Sequence, residues 1–483
     1  MLSSPAVMQR SPSLDAVVVG SGPNGLAAAA LLASSGCSVH VVEAHAELGG
    51  GTRTAELTLP GFLHDVCSAV HPLGELSPYF RTLPLEQHGL RWAHPPLSVA
   101  HPLDNGPAVL LRRSVQDTAE GLGSDGRAWQ RLMDPFVRLG APFLEDLLGP
   151  LRIPSRPFSM ARFGLYGFRS AVGLSRGLFD EQRARAVFAG CAAHAILPLD
   201  MWMTGAVGLL FSLTTHLCDW PIALGGSAAI SRALESYIRA HGGTFETNKR
   251  IESLAELPES RVVLFDLAPR QLISIAGDAL PSGYLKRLAR YDYGPGVFKI
   301  DWALSGPIPW KDPECARAST VHVGGTVEEI AASERAAYMG EHSERPFVLV
   351  TQQSHFDPSR APEGKHTGYA YCHVPFGSTV DMTARIEAQI ERFAPGFGDV
   401  ILARATHSPA DLERYNPSFI GGVIAGGASH IGQLFTRPVA RLDPYSTPNR
   451  RLFLCSAATP PGGGVHGMCG YFAAKSALKR LRA

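Results

Sequence analysis

The run Gly20-Ser21-Gly22-Pro23-Asn24-Gly25 follows the apolar stretch Ala16 to Val19, opens an alanine-rich segment, and precedes a second stretch, Ser38 to Val42, that ends in Glu43. With 50 glycines in the chain, a glycine pattern alone would say little. Strand, glycines, helix, strand and terminal acid within about thirty residues is the specific signature of a dinucleotide site. Gly20, Gly22 and Gly25 permit a tight turn, let backbone amides approach a pyrophosphate, and bring helix against strand. Pro23 and Asn24 open a helix whose N-terminus carries roughly half a positive charge for the phosphates. Glu43 stands where one carboxylate can accept both ribose hydroxyls.

Length and charge narrow the remainder. At 483 residues the chain is long for a single core, and 45% hydrophobic against 18% charged residues suffices to bury two. The net charge of +1, from 44 basic and 43 acidic residues, gives no indication of a nucleic-acid or polyanion partner, and none is expected. Lys475, Lys479, Arg480 and Arg482 gather on the last helix, where cations complement the helix dipole. Eight cysteines include no C-x-x-C pair and no disulfide or zinc spacing. The expectation is therefore a reducing compartment, the cytoplasm, and no metal.

The glycine turn interrupts the N-terminal apolar run, so a signal peptide is not expected, and residues 1–13 read as a loose tail. Met201 to Leu213 is apolar but shorter than the roughly twenty residues that span a bilayer. It reads as a buried helix lining an apolar cavity, with peripheral contact at a membrane surface as the alternative.

Along the chain, Asp104-Asn105-Gly106 predicts a turn between short strands. Asp125 is expected to cap a helix beginning near Arg127 that carries Trp129, Leu132, Phe136 and Leu139 on one stripe. Ser155 to Asp219 is helical and apolar with a break at Pro198. After Gly225-Gly226, a helix over Ala228 to Ala240 ends at Gly242-Gly243, and strands follow near Thr244 to Asn248 and Arg261 to Phe265. The predicted fold class is α/β. A discontinuous Rossmann-like domain comprises 14–75, 221–290 and 446–483; 76–220 and 291–445 form a mixed α+β substrate domain. Ile251, just past the first of those strands, is assigned to the cofactor site.

The C-terminal segment is the second informative stretch. Leu452 to Cys455 reads as a strand, Pro460-Pro461-Gly462-Gly463-Gly464 as a loop without bulk, and Val465 as a helix start. A helix N-terminus there can face the N1 and C2 carbonyl edge of a flavin, with amides of Val465, His466 and Gly467 stabilising the reduced ring.

Together with Gly49-Gly50-Gly51-Thr52-Arg53, Asp357-Pro358, Pro409-Ala410-Asp411-Leu412-Glu413, Gly421-Gly422 and Arg437-Pro438, these motifs resemble the phytoene desaturase-type flavoproteins over nearly the full length. That group includes carotenoid desaturases, retinol saturase and flavoproteins named for a pyridine nucleotide-disulphide oxidoreductase domain. The resemblance implies FAD, held by Gly50, Gly51 and Arg53 at the second phosphate contact and by Gly463, Gly464, Val465 and His466 at the ring. It also implies a flavin-facing lysine of the kind amine oxidases carry. Gly296 to Trp302 looks similar to that strand, and alternation puts Lys299 and Asp301 on one face. A surface Lys and Asp pair is the plain alternative. The sequence departs from the family at Ser456-Ala457, where Gly-Asp is usual, and shows no second glycine fingerprint for NAD(P).

The expected activity is transfer of a hydride from a hydrophobic small molecule to flavin N5, a dehydrogenation or desaturation. Oxygen, a quinone or a protein serves as electron acceptor. Lys299 and His466 are the catalytic candidates, and the proton acceptor is His466, a water held by Lys299, or His373. The alternatives are a saturase or double-bond isomerase, then an amine oxidase, then a non-catalytic flavin-binding or escort protein.

Overall fold

In the computed structural model, residues 13–482 are described, so the tail expected at the N-terminus lies outside them apart from Ser13. Strands Leu452–Leu454, Ser260–Phe265, Leu14–Val19, Val39–Val42 and Thr244–Glu246 form, in that spatial order, a parallel five-stranded sheet. Ala16 to Val19 are buried, as central parallel strands covered on both faces must be. The Pro23–Ser34 helix packs on one face, and its alanines let the Met468–Arg482 helix approach closely. A Cβ at Gly470 would stand 1.8 Å from the carbonyl oxygen of Asn24. The fold is thus α/β, with its nucleotide sheet drawn from three separated stretches of chain.

The second sheet has seven strands, in the order Ile401–His407, Gly296–Leu304, His366–Val374, Val348–Thr351, Ala318–Val323, Leu97–His101 and Val109–Leu111. It is antiparallel except between Ala318–Val323 and Leu97–His101. The turn at Asp104-Asn105-Gly106 joins the last two strands as expected. Helices Gly126–Val137, Pro157–Gly167, Ala171–Leu178, Gln182–Ala193 and Thr204–Cys218 cover one side around a core containing Trp129, Phe136, Phe188 and Trp220.

Three local expectations change. Asp125 does not cap its own helix; its carboxylate accepts the Asp180 and Glu181 amides, 2.8 and 2.7 Å away, and so caps the Gln182–Ala193 helix from outside. Leu139 falls beyond the helix that carries Trp129, which ends at Val137 before the Gly140 turn. The C-terminal helix begins at Met468 rather than Val465, because Gly467, at φ +67°, lies outside the helical region. No helix among the described residues is long and apolar enough to cross a membrane.

Candidate active site

One elongated cavity of about 1690 Å³ runs from the Gly20 turn past the Gly463-Gly464 loop and into the helical layer. At its nucleotide end Gly20, Gly22, Pro23 and Asn24 form the wall. Gly25 does not; it works through packing. A Cβ there would fall 2.2 Å from the Gly20 carbonyl oxygen, so the helix can meet the turn only without a side chain. Glu43, almost fully buried, accepts Ser21 N at 2.9 Å, Ser21 Oγ at 2.5 Å and His45 N at 2.9 Å. Arg53 pairs with it at 3.2 Å and lies over the Tyr415 ring. Gly50 packs beside Gly22 and Gly51 against Phe419, both line the same wall, and Ile251 joins them with Lys249 and Arg250.

Asp266, at the end of the Ser260–Phe265 strand, escaped the sequence reading. It lines the cavity, and its carboxylate accepts the Gly25 amide at 2.8 Å. Burial pushes its pKa up to about 7, with the Glu43 charge adding and the Gly25 and Gly22 amides opposing. The signal that would have revealed it is the one that marked Glu43: an acid at the C-terminal end of a buried parallel strand.

At the ring end Ser456, Ala457, Gly463, Gly464, Val465 and His466 line the cavity. The expected amide cluster at Val465 to Gly467 is loop rather than helix. The buried His466 ring accepts the Met468 amide at Nδ1, 3.0 Å away, so its proton sits on Nε2, which has no protein partner. In that tautomer His466 donates to a ligand and cannot take a proton from one. Burial keeps it neutral, at a pKa of about 4.

Lys299 is not the surface residue of the plain alternative. All nine residues of Gly296–Leu304 are buried, and the ammonium pairs with Asp301. It also does not line the cavity: Tyr369 does, with the Lys299 ammonium 4.6 Å from its ring centroid on the far side of the wall. Burial pushes Asp301 up, to about 6, against the pull of Lys299. His373 is likewise held off the wall, paired through Nδ1 with Glu334 at 2.7 Å.

Beyond the ring end the chamber is apolar, lined by Leu147, Met160, Phe163, Ala206, Leu210 and Phe211. The last three belong to Thr204–Cys218, so the segment read as a cavity-lining helix takes that place. His194 stacks on Phe211 in this wall with ring centroids 4.3 Å apart. Its Nε2 meets His322 Nε2 at 3.3 Å, and His101 Nε2 donates to the Gly325 carbonyl at 2.7 Å. The Nδ1 atoms of His322 and His101 converge on Gly190, where a Cβ would stand 2.7 and 3.2 Å from them. Sequence reasoning had no access to this row, whose three histidines come from three separated elements.

The donor set suits FAD: one continuous cleft joins Glu43 to Gly464, and Asn24 Oδ1 and His466 Nε2 are buried on its wall without protein partners. Bound there, FAD would supply two-electron chemistry at the inner end.

Comparison with known proteins agrees. The NAD(P)-binding Rossmann-like domain family matches residues 18–83. The rat pyridine nucleotide-disulfide oxidoreductase domain-containing protein 2 is 28% identical over 98% of this chain and 94% of its own. A 4,4'-diapophytoene desaturase of Methylomonas is 25% identical over 93% of this chain and 92% of its own. In fold, the chain resembles an oxidoreductase from Methanosarcina mazei, with TM-score 0.65 and 17% identity over 96% of this chain and all of that one.

Proposed function

We propose that the chain is an FAD-dependent oxidoreductase that removes a hydride from a carbon of a hydrophobic small molecule, passing it to flavin N5. The observation that carries this reading is the continuity of the cavity: its nucleotide-binding end opens without interruption into a chamber walled by Leu, Met, Phe and Ala. The similarity to a diapophytoene desaturase points the same way. In this reading the segments 14–75, 221–290 and 446–483 hold the cofactor, and the intervening ones the substrate. Glu43 takes the ribose hydroxyls, the Gly20 turn and helix N-terminus the pyrophosphate, and Ile251 the adenine side. His466 Nε2–H donates to the ring edge.

The substrate also loses a proton, and His194 is the group placed to accept it. In the tautomer that carries its proton on Nε2, facing His322 Nε2 at 3.3 Å, the Nδ1 lone pair has no protein partner on a cavity-lining ring. Burial keeps the imidazole neutral, at a pKa of about 3. So weak a base suffices because hydride loss leaves the adjacent C–H strongly acidic. Lys299 supports the site from behind, its ammonium set against the Tyr369 ring.

Substrate enters at a surface suited to anionic lipid. Between Asp146 and Asp180 the chain carries five arginines and no acid; Arg152 and Arg156 pair with Asp146 and Arg176 with Glu328, which leaves Arg162 and Arg169 without a carboxylate partner among the described residues. Leu151, Ile153, Phe158 and Leu165 stand exposed among these arginines, Ile153 and Phe158 by about nine-tenths. Phe158 and Leu165 lie two turns apart on one helix face, and Leu151, Arg152 and Phe168 line the cavity itself. Electrons leave to oxygen, a quinone or a protein.

The test is anaerobic incubation of the FAD-loaded protein with a polyene such as 4,4'-diapophytoene in detergent micelles, with putrescine as the contrasting amine. Bleaching of the flavin band by the polyene alone supports the reading. Bleaching by putrescine alone makes the protein an amine oxidase, and polyene turnover without net bleaching makes it an isomerase.

A further inference from the structure

We propose that Arg437 supplies the buried positive charge that stabilises the flavin ring as it takes up a hydride. This deepens the reading above and rests on its placement of the ring at the Gly463-Gly464 loop. Arg437 is fully buried. Its Nη2 donates to Tyr291 Oη at 2.9 Å and to the Ala457 carbonyl at 3.0 Å, its Nη1 reaches Ser429 Oγ at 3.3 Å, and Nε has no partner. Among the described residues no carboxylate lies within ion-pair distance of it.

The other fully buried arginine shows the usual arrangement. Arg360 pairs with Asp65 at 2.6 Å and with Asp357 at 3.8 Å. Burying a cation without an anion costs several kcal/mol, which a fold tolerates where the missing charge arrives with a ligand. The guanidinium lies directly beneath the ring-end loop: a Cβ at Gly462, whose φ is +114°, would stand 2.8 Å from Nη1. Ala457 and Ser429, two of its partners, line the cavity.

A hydride delivered to N5 brings both electrons and one proton; no atom leaves, and one negative charge appears on the N1–C2 side of the ring. Because Arg437 is itself fully buried, its charge is poorly screened and acts on that edge over several ångströms.

The experiment uses the FAD-loaded protein and no substrate. Sulfite, which adds to flavin N5 and leaves the same negative charge on the ring, is titrated by loss of the flavin absorbance. The midpoint potential is measured beside a reference dye. Arg437→Gln and Arg437→Met are expected to weaken sulfite binding about 10- to 100-fold and to lower the potential, and Arg437→Lys to stay within about threefold of the parent. The proposal is overturned if a neutral variant keeps FAD with unchanged sulfite affinity and potential, or if Arg437→Lys falls as far as Arg437→Gln, which would mark a packing role. Should neither neutral variant hold FAD, the parent protein decides: a potential above that of free FAD supports the proposal, and one at or below it defeats it. Because no substrate is present, a failure of polyenes to bleach the flavin would defeat the functional reading and leave this result standing.

Discussion

The two ends of the cavity handle charge in opposite ways. At the nucleotide end two buried carboxylates, Glu43 and Asp266, accept amides and hydroxyls of the surrounding turns, and Glu43 is also paired with Arg53. At the ring end Arg437 is a cation without an anion, and His466 is a donor without an acceptor. The first end is finished as a protein surface and offers a shaped cradle. The second is electrostatically incomplete until something negative arrives, the arrangement expected where charge develops during reaction rather than where it merely binds.

The sharpest way to break this contrast is to remove the cradle alone. Gly25→Val places atoms where even a Cβ meets the Gly20 carbonyl oxygen at 2.2 Å. The expected outcome is a colourless protein, destabilised by about 3 kcal/mol or more, seen in its absorption spectrum and thermal melt. A yellow, stable variant would show that the turn does not set the nucleotide end. Next in size is the chemistry of the second end. His194→Gln should keep its FAD yet slow substrate bleaching of the flavin about 10²- to 10⁴-fold under anaerobic stopped flow. A loss below tenfold would move the proton acceptor elsewhere.

The outermost part of the second end is apolar rather than charged. Replacing both Phe158 and Leu165 by Glu removes two exposed side chains worth about 1.5–3 kcal/mol each on burial in lipid. Co-sedimentation with phosphatidylserine-containing vesicles should weaken at least tenfold while FAD content stays constant. Equal binding by the variant would assign the patch to something other than lipid.

The contrast between the ends is also a contrast in what the sequence could disclose. The Gly20 turn, Glu43 and the Gly462 to Gly464 loop were legible because their partners are neighbours in the chain, so strand, turn and helix chemistry is written locally. Asp266 was not, because the amide it accepts belongs to Gly25, 241 residues away. The role of Arg437 was hidden for the same reason, although Arg437-Pro438 itself was noticed: being without a carboxylate is a property of the folded surroundings. Lys299 was placed on the correct face of its strand by alternation, but alternation is blind to Tyr369 standing between it and the cavity. The helix start was misread at Val465 because an apolar residue after glycines resembles a first turn, whereas the left-handed backbone of Gly467 delays it to Met468.

Asp266 gives the smallest effect and the finest discrimination, because it tests whether the nucleotide end is as saturated as its hydrogen bonds imply. Its folded pKa, about 7, lies above the ordinary value of 3.8, so the folded chain holds a proton that the unfolded chain releases between those two values. Stability from this group is therefore fully present below about pH 4 and is lost as pH rises to 7, at up to ~1.4 kcal/mol per pH unit. Above pH 7 the loss levels off. Asp266→Asn should flatten that slope in urea melts of the FAD-free protein, and should relieve repulsion toward the pyrophosphate, so that FAD affinity falls less between pH 6 and 8 than in the parent. If the variant keeps the parent's slope, the two helix-terminal amides hold Asp266 ionised. Both carboxylates of the first end would then be fully charged before any cofactor arrives, and the cradle would bind pyrophosphate against them rather than with the help of a proton.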